Sequence, residues 1–392
     1  MSDHFDELLA EADVVVCCGP GGVGKTTVSA ALGLKAALAG RRVCVLTVDP
    51  ARRLADALGI SSMGHEPREV PGIADGSLHA VMLDTAETFD ELVERYAESP
   101  EQAQQIKENR LYGSLASAMS GTQEYMAMEK LYELVGSGDY DLVVVDTPPT
   151  RNALDLLDAP RRLNSFLSNR IFRALLTPTR AYLRALSFAT QALLSTIGKV
   201  AGAELVSDAV TFFQAFSGME AGFAERANEI HERLRSDGTA FVLITSPRDD
   251  AIEEARFFAA RLEETGMKAS GAIVNRIHPR FLTEPLPPEV RHATGALGAL
   301  VSNLLELEEI ATQERRSLDE LVAALAPAPV ASLPLSDEEL HDLDGLSRLG
   351  RRLCVETLTA PVDGAEVAGR FENVQTHQHT TPMPSEPDDG QS

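Results

Sequence analysis

The sequence predicts an α/β protein built on a doubly wound, mainly parallel sheet that carries helical insertions. Short apolar runs alternate with longer helical stretches, which is the pattern of a parallel sheet covered by helices on both faces. The first two runs are joined by an Ala- and Leu-rich helix at 25–39, and Gly40 stands where a left-handed helix cap belongs, so they form a βαβ unit. The runs predicted to form buried strands are 14–18, 42–48, 78–83, 142–145, 240–245, 271–274 and 330–333.

Two stretches, 99–134 and 159–236, break this alternation because they are helical in composition and contain no strand-like run. They are predicted to be helical insertions in an α/β core made of residues 1–98, 135–158 and 237–360. Residues 363–392 are rich in Pro, Thr, Gln, Asp and Glu and are predicted to be a disordered tail. There is no internal repeat, so a second active site would have to come from another chain.

Composition excludes several classes of protein. The chain has 392 residues with a formal net charge of -24, which disfavours nucleic acid as a partner. Its 4 cysteines have no zinc-ligand spacing, which favours a reducing compartment. The acidic N-terminus does not resemble a signal peptide, and there is no apolar run long enough to span a membrane. We therefore expect a cytoplasmic protein, with or without peripheral association with a membrane.

The first predicted strand is followed by a phosphate-binding loop. Residues 19–27 read GPGGVGKTT and satisfy the pattern GxxxxGK[ST], which predicts a P-loop NTPase. In such a loop the backbone N–H groups converge on the phosphates at the positive end of the following helix. Lys25 would reach the β and γ phosphates, and the Thr26 hydroxyl would be a Mg²⁺ ligand. The residues predicted to bind ATP here are Gly21, Gly22, Val23, Gly24, Lys25, Thr26 and Thr27.

The same glycines also fit a dinucleotide-binding fingerprint. Gly19, Gly21 and Gly24 have GxGxxG spacing, and Asp49 follows the second strand where a ribose-binding acid would lie. A dehydrogenase is therefore a rival interpretation. The pair Lys25-Thr26 weighs against it, because a dinucleotide has no use for that cation and hydroxyl.

Two strand-end carboxylates complete the predicted chemistry. Asp146 follows the strand 142–145, where an acid can hold Mg²⁺ through water. Asp49 ends the second strand and could orient the attacking water, so we take Lys25 and Asp49 as the catalytic candidates. Either aspartate alone could equally cap a following helix. Their joint occurrence with the loop favours the functional interpretation.

These residues resemble the ArsA-like ATPases, the family of arsenical-pump ATPases and of ATPases that target tail-anchored membrane proteins. The resemblance rests on GGVGKTT at 21–27, TVDPARRLADALG at 47–59, VVVDTPPTRNALDLLDAP at 143–160 and VNR at 274–276. The chain looks most like the single-domain, actinobacterial-type members. The resemblance implies ATP and Mg²⁺ as cofactors, Asp49 in switch I, Asp146 at the start of switch II, and Asn275 and Arg276 near the purine.

The chain departs from the family pattern at one position of the loop. The pattern GKGGVGKT has a signature lysine that reaches the nucleotide across a dimer, and Pro20 stands at that position here. Slow hydrolysis, a partner chain that supplies the lysine, or a basic residue elsewhere would each account for the change. We expect a homodimer or a heterodimer with a related subunit. Counterparts of the pump's metalloid-binding thiols and of the targeting ATPases' CxxC are also missing, and Cys17, Cys18 and Cys44 are predicted to pack in core strands.

The segment 159–203 is basic, whereas the chain as a whole is strongly acidic. It contains neither Asp nor Glu, it carries seven Arg and Lys residues, and its apolar residues recur at helical spacing. Such a surface suits an anionic membrane interface, an acidic partner or an apolar client segment. The partners expected to bind through it are a membrane protein or an apolar client. Packing on the acidic core or across a dimer explains the same pattern. Because it follows switch II, we expect residues 150–160 to transmit hydrolysis to it.

The function predicted from the sequence is Mg-dependent ATP hydrolysis that opens and closes a dimer and engages a membrane-linked partner or client. One alternative is an ATPase subunit of an anion or metalloid pump. Another is a nucleotide-gated scaffold like MinD or ParA, although the acidic chain ends show neither a membrane helix nor a DNA-binding surface. The dehydrogenase remains the remote alternative.

Overall fold

The computed structural model describes residues 4–49, 51, 53–61, 63–110, 112, 122–149, 159, 208, 211–212, 214–282, 284–336, 342–353 and 357–358. Apart from Ala159, the basic segment 159–203 and the switch II continuation at 150–160 lie outside the described residues. The same holds for the tail 363–392.

The described residues form a 9-stranded sheet with the order β3-β4-β2-β5-β1-β6-β7-β8-β9. Its strands are β1 (Val14–Cys18), β2 (Arg42–Thr47), β3 (Arg68–Glu69), β4 (Ser77–Met82), β5 (Leu142–Asp146), β6 (Thr239–Thr245), β7 (Ala269–Ile277), β8 (Val330–Pro334) and β9 (Thr357–Leu358). All seven strands predicted from apolar runs are present and pair in parallel. The doubly wound, mainly parallel α/β fold is thus confirmed. The two-residue strands β3 and β9 add antiparallel edges.

Helices cover both faces of this sheet. They are α1 (His4–Glu11), α2 (Lys25–Leu38), α3 (Arg53–Leu58), α4 (Thr85–Tyr96), α5 (Pro100–Lys107), α6 (Thr122–Gly136), α7 (Glu220–Leu234), α8 (Asp249–Glu264), α9 (Pro288–Arg291), α10 (Gly295–Ser317), α11 (Asp319–Leu325) and α12 (Leu343–Arg352). The helices α5 and α6 lie in the stretch 99–134, and α7 lies at the end of 159–236. The division of the chain into core and insertions stays a prediction.

The helix α2 directly follows the phosphate loop and is buried in the core. It is apolar on nearly all sides and lies between the sheet and α12, as expected for a buried helix. It ends as predicted at Gly40, which has a φ of 94°. The N–H groups of Gly40 and Arg41 bond to the carbonyls of Ala37 and Ala36 at 3.0 and 3.2 Å, which is a Schellman cap. The C-terminal end of α2 is therefore fixed by its own backbone.

Successive side chains of the central strands point to opposite faces of the sheet, so the hydrophobic core is divided between the two faces. Val15, Cys17 and Val45 pack with α2 and α12, whereas Cys18 and Cys44 face a cluster that includes side chains of α6, α7 and α8. All three cysteines are free and buried. Burial raises the pKa of the Cys17 and Cys44 thiols to about 12, so they behave as apolar packing groups.

Candidate nucleotide site

The order of the strands brings the predicted site residues to one edge of the sheet. The strand β5 lies between β1 and β2, so the consecutive strands β1 and β2 are not neighbours. In this register Asp146 pairs with Cys17 on one side and Thr47 on the other. The carboxylate of Asp146 therefore lies between the phosphate loop and the Asp49 turn. This is the carboxyl edge of a parallel sheet, where ligands bind in open α/β folds.

Close packing fixes the backbone of the loop at its first and last glycines. Gly19 has a φ of 154°, and a Cβ there would lie 1.9 Å from the Ile244 carbonyl oxygen of β6. Gly24 has a φ of 92°, and its Cβ would lie 2.5 Å from Asn275 Nδ2. Only glycine fits at either position without displacing its neighbour. The loop between them is thus held against β6 and the end of β7.

Lys25 is a buried cation that folds back under its own loop. Lys25 is only 8% exposed. Its Nζ donates to the carbonyl oxygens of Gly19 and Pro20, at 2.9 Å each. Burial lowers the pKa of the Lys25 ammonium, while the Asp146 carboxylate opposes that effect. The charge is therefore poorly solvated and has two neutral acceptors. An anionic ligand at the loop would be a stronger partner for it.

Asp146 is the centre of a small polar cluster behind the loop. Thr26 Oγ1 and Thr47 Oγ1 both donate to its Oδ2, at 2.8 and 3.0 Å. Asp146 is 1% exposed, and its Oδ1 has no hydrogen-bond partner among the described residues. Burial raises the pKa of Asp146 to about 6, against the opposing effect of the two hydroxyl donors. One carboxylate oxygen is thus oriented by two threonines and the other is unsatisfied.

Asp49 lies in the turn that leads from β2 to α3. Its Oδ1 accepts the N–H of Ala51 at 2.9 Å, and its Oδ2 lies 3.5 Å from Arg53 Nη1. The half-buried carboxylate therefore makes an Asx-turn contact to a residue that precedes α3. It is close enough to Asp146 to contribute to the raised pKa of that residue. The structure therefore places both aspartates in one electrostatic environment.

Asn275 and Arg276, at the end of β7, contact the loop directly. Asn275 Nδ2 donates to the Val23 carbonyl at 2.8 Å, and Arg276 Nη1 donates to the Gly22 carbonyl at 3.1 Å. The family resemblance implies that these two residues lie near a purine, and that contact stays a prediction.

Two further residues support the site and were missed in the sequence. Thr47 is the buried second donor to Asp146. Gln123 of α6 donates from Nε2 to the Val48 carbonyl at 3.2 Å, which ties α6 to the Asp49 turn. A hydroxyl near the end of a predicted strand, two residues before Asp49, was a usable signal for Thr47. Gln123 gave none, because its contact spans 75 residues.

The donor set fits Mg²⁺ and a nucleoside triphosphate. The threonine hydroxyl and the unsatisfied carboxylate oxygen of Asp146 are hard oxygen donors of the kind that Mg²⁺ prefers. The first turn of α2 has no side-chain cap in the described part of the chain, so its N–H groups suit an anion. The residues that would hold the metal are Thr26 and, through water, Asp146.

A parallel sheet with this loop between β1 and α2, a buried lysine and a strand-end aspartate defines a P-loop nucleotide-binding protein. The sequence profile of the anion-transporting ATPases, the ArsA family, matches residues 12–355. The chain belongs to this ATPase family.

Individual relatives carry two kinds of name. A protein of Aquifex aeolicus named for an arsenical pump-driving ATPase is 23% identical over 345 residues, which cover 86% of this chain and 78% of that protein. An uncharacterised Streptomyces coelicolor protein is 30% identical over 67% of this chain and 61% of its own length. The ATPase GET3 of Malassezia globosa is 32% identical over 39% of this chain and 44% of its own length. The matches thus span less than two thirds of the latter two proteins.

The described residues lack two features that would point to another kind of protein. They contain no group of three or more His, Cys, Asp and Glu side chains that could hold a metal ion. Within the same residues, no helix has both the length and the apolar character that crossing a membrane requires.

Proposed function

We propose that the chain is a Mg-dependent ATPase of the ArsA type, which couples ATP binding and hydrolysis to opening and closing of a dimer and to engagement of a membrane-linked partner or client. The observation that carries the proposal is the juxtaposition of three groups at one sheet edge. These are the buried Lys25 ammonium, the Thr26 hydroxyl and the Asp146 carboxylate with its unsatisfied oxygen.

Each of these residues has a distinct role in the proposed chemistry. Lys25 would exchange its two carbonyl acceptors for phosphate oxygens, because a charge-assisted bond is stronger than a bond to a neutral carbonyl. Thr26 and Asp146 would hold Mg²⁺, which neutralises phosphate charge when it is bound. Asp49 would orient the attacking water from its half-buried turn.

The proposed dimer rests on the loop sequence. The chain has Pro20 where the family pattern has a lysine that acts across a dimer, and it has no internal repeat that would supply a second site. A Walker A loop that lacks this lysine is expected to hydrolyse ATP slowly until a second chain or another basic residue completes it. A heterodimer with a related ATPase could supply the lysine itself, whereas a homodimer, which has Pro20 in both loops, would have to supply another basic residue.

Turnover of Mg·ATP by the purified protein tests the proposal. The variant Asp49→Asn should bind Mg·ATP as tightly as wild type and lose most of its hydrolysis, because it keeps the shape of the turn but cannot accept a proton. Asp56→Asn is the matched control, since Asp56 is an exposed aspartate on the neighbouring helix α3. Hydrolysis that is absent from wild type, or equal in wild type and Asp49→Asn, would refute the proposal.

A pump subunit is the second candidate, because the family is named for anion transport and the Aquifex relative for an arsenical pump. The three described cysteines weigh against a thiol-bound metalloid. They are buried, and burial raises the pKa of each thiol well above neutrality. Stimulation of turnover by arsenite would favour the pump. A melting temperature raised by NAD and not by ATP would favour the dehydrogenase.

A further inference from the structure

The strand β7 contains a bulge where it reaches the phosphate loop. Val274 pairs with Ser332 and Ile277 pairs with Pro334, so three residue steps on β7 face two steps on β8. The extra residue lies at Asn275-Arg276, and Arg276 has a φ of 64°. An arginine rarely adopts this left-handed conformation, which costs free energy and persists only where its surroundings fix it. Bulges of this kind often turn a side chain toward an active site.

The bulge directs two adjacent side chains onto two adjacent carbonyls of the loop. Asn275 Nδ2 bonds to the Val23 carbonyl at 2.8 Å, and Arg276 Nη1 bonds to the Gly22 carbonyl at 3.1 Å. Asn275 Oδ1 accepts the backbone N–H of Arg276 at 2.9 Å. This last bond fixes which end of the amide is the donor, because only Oδ1 can accept that hydrogen. Both contacts therefore depend on the conformation of the bulge.

A bond to a peptide carbonyl also orients the N–H group of the same peptide. In a trans peptide the C=O and the N–H point to opposite sides. Holding the Gly22 carbonyl toward Arg276 thus turns the Val23 N–H away from β7, and holding the Val23 carbonyl toward Asn275 does the same for the Gly24 N–H. These are amides of the segment that wraps phosphates in a P-loop.

From this geometry we infer that Arg276 is a positioning residue of the phosphate loop, which fixes the Gly22–Val23 peptide so that its N–H group faces the phosphates. The inference rests on the proposed ATPase function and deepens it. Arg276 then acts on every ligand that carries the phosphate chain, whatever base is attached. A residue that only contacted the purine would act on nucleotides alone.

Tripolyphosphate, the phosphate chain of ATP without its nucleoside, separates the two roles. The variant Arg276→Gly removes the guanidinium while glycine adopts the left-handed conformation freely. We expect it to weaken the binding of Mg·ATP and of Mg·tripolyphosphate alike, each by about tenfold, as for loss of one hydrogen bond from a charged donor. Its melting temperature should equal or exceed that of wild type, because the backbone strain is relieved. A role in folding alone would lower the melting temperature.

Arg256→Ala is the control, because it removes the same positive charge at a site away from the loop. Arg256 of α8 pairs with Glu320 of α11, and both side chains are exposed. It should bind both ligands like wild type. Arg276→Asn, which also tolerates the left-handed region, should reproduce the loss and serves if the glycine variant is unstable.

Three results would overturn the inference. Weaker binding of Mg·ATP with unchanged binding of Mg·tripolyphosphate would assign Arg276 to the purine. Unchanged binding of both ligands would leave it no role at the loop. If wild type bound neither ligand, the proposed function would fail as well, and this outcome is distinct because it does not depend on any variant.

Discussion

We expect the buried charge of Asp146 to lower the free energy of unfolding, and a variant that removes this charge should reveal the cost. The carboxyl is 1% exposed, its Oδ1 has no hydrogen-bond partner in the part of the chain that the structure describes, and burial raises its pKa from the ordinary 3.8 to about 6. Ionisation is therefore less favourable in the folded protein than in the unfolded chain by about 3 kcal/mol. The variant Asp146→Asn escapes this cost. Its carbonyl oxygen can still accept from Thr26 and Thr47.

The pH dependence has a definite sign. Between pH 4 and pH 6 the folded state holds the proton that the unfolded chain has lost, so stability falls as the pH rises through this window. The cost in wild type is about 1.6 kcal/mol at pH 5 and about 3 kcal/mol at pH 7.5. The new amide of the variant costs about 1–3 kcal/mol at every pH, because it places an N–H group where Oδ1 had no partner. The stability difference should therefore shift by about 1.4 kcal/mol between these two pH values.

Scanning calorimetry at pH 5 and pH 7.5 measures this shift. For a chain of 392 residues, 1.4 kcal/mol corresponds to roughly 2 °C in Tm in favour of the variant. The variant should also lose its Mg-dependent affinity for ATP, and wild type should lose affinity progressively as the pH falls below about 6. Thr47→Val, which removes one donor, is the control for the hydrogen-bond contribution. A pH-independent difference between wild type and Asp146→Asn would refute the reasoning.

Two further predictions concern packing and a buried ion pair. Gly24→Ala should cost about 1–3 kcal/mol of stability and weaken Mg·ATP binding, because its Cβ would lie 2.5 Å from an amide nitrogen and the residue has a φ of 92°. Thermal melts measure the first effect and calorimetry the second. In the melts Gly21→Ala should be tolerated, since a Cβ there would lie 3.8 Å from its nearest neighbour. Arg226→Ala should cost about 3–5 kcal/mol, because it leaves the Glu129 carboxylate, 2% exposed and 3.0 Å from Arg226 Nε, without its charged partner. In denaturant unfolding the exposed-pair variant Arg256→Ala should cost less than about 1 kcal/mol, and equal costs for the two arginines would contradict the burial argument.

Local sequence was sufficient to predict those features of the fold and the site that depend on neighbouring residues in the chain. The buried strands are continuous apolar runs, and α2 is flanked by two glycines of the sequence, Gly24 before its first residue and Gly40 after its C-cap. The loop motif was enough to predict Lys25, Thr26 and their neighbours as site residues, because phosphate and Mg²⁺ binding needs each of them at a fixed spacing from the strand. The structure brings Thr26 and Asp146 within hydrogen-bond distance although 120 residues separate them.

Other features depend on pairings that no local pattern contains. The position of β5 between β1 and β2 is a property of the whole sheet, and it makes Thr47 a partner of Asp146. The bulge at Asn275-Arg276 arises from the register of β7 against β8, so the sequence alone could not show that both side chains reach the loop. The strands β3 and β9 have two residues each, which is too short for any periodicity.

Isothermal titration calorimetry of wild type and Lys25→Ala with Mg·ATP tests most directly whether this loop binds a nucleotide triphosphate. Wild type should release heat with one ATP per chain, and Lys25→Ala should bind about a hundredfold more weakly, as for loss of charge-assisted bonds to phosphate. Lys268→Ala, at an exposed lysine in the turn before β7, should match wild type. No heat from wild type, or equal affinity in wild type and Lys25→Ala, would contradict the assignment of the site.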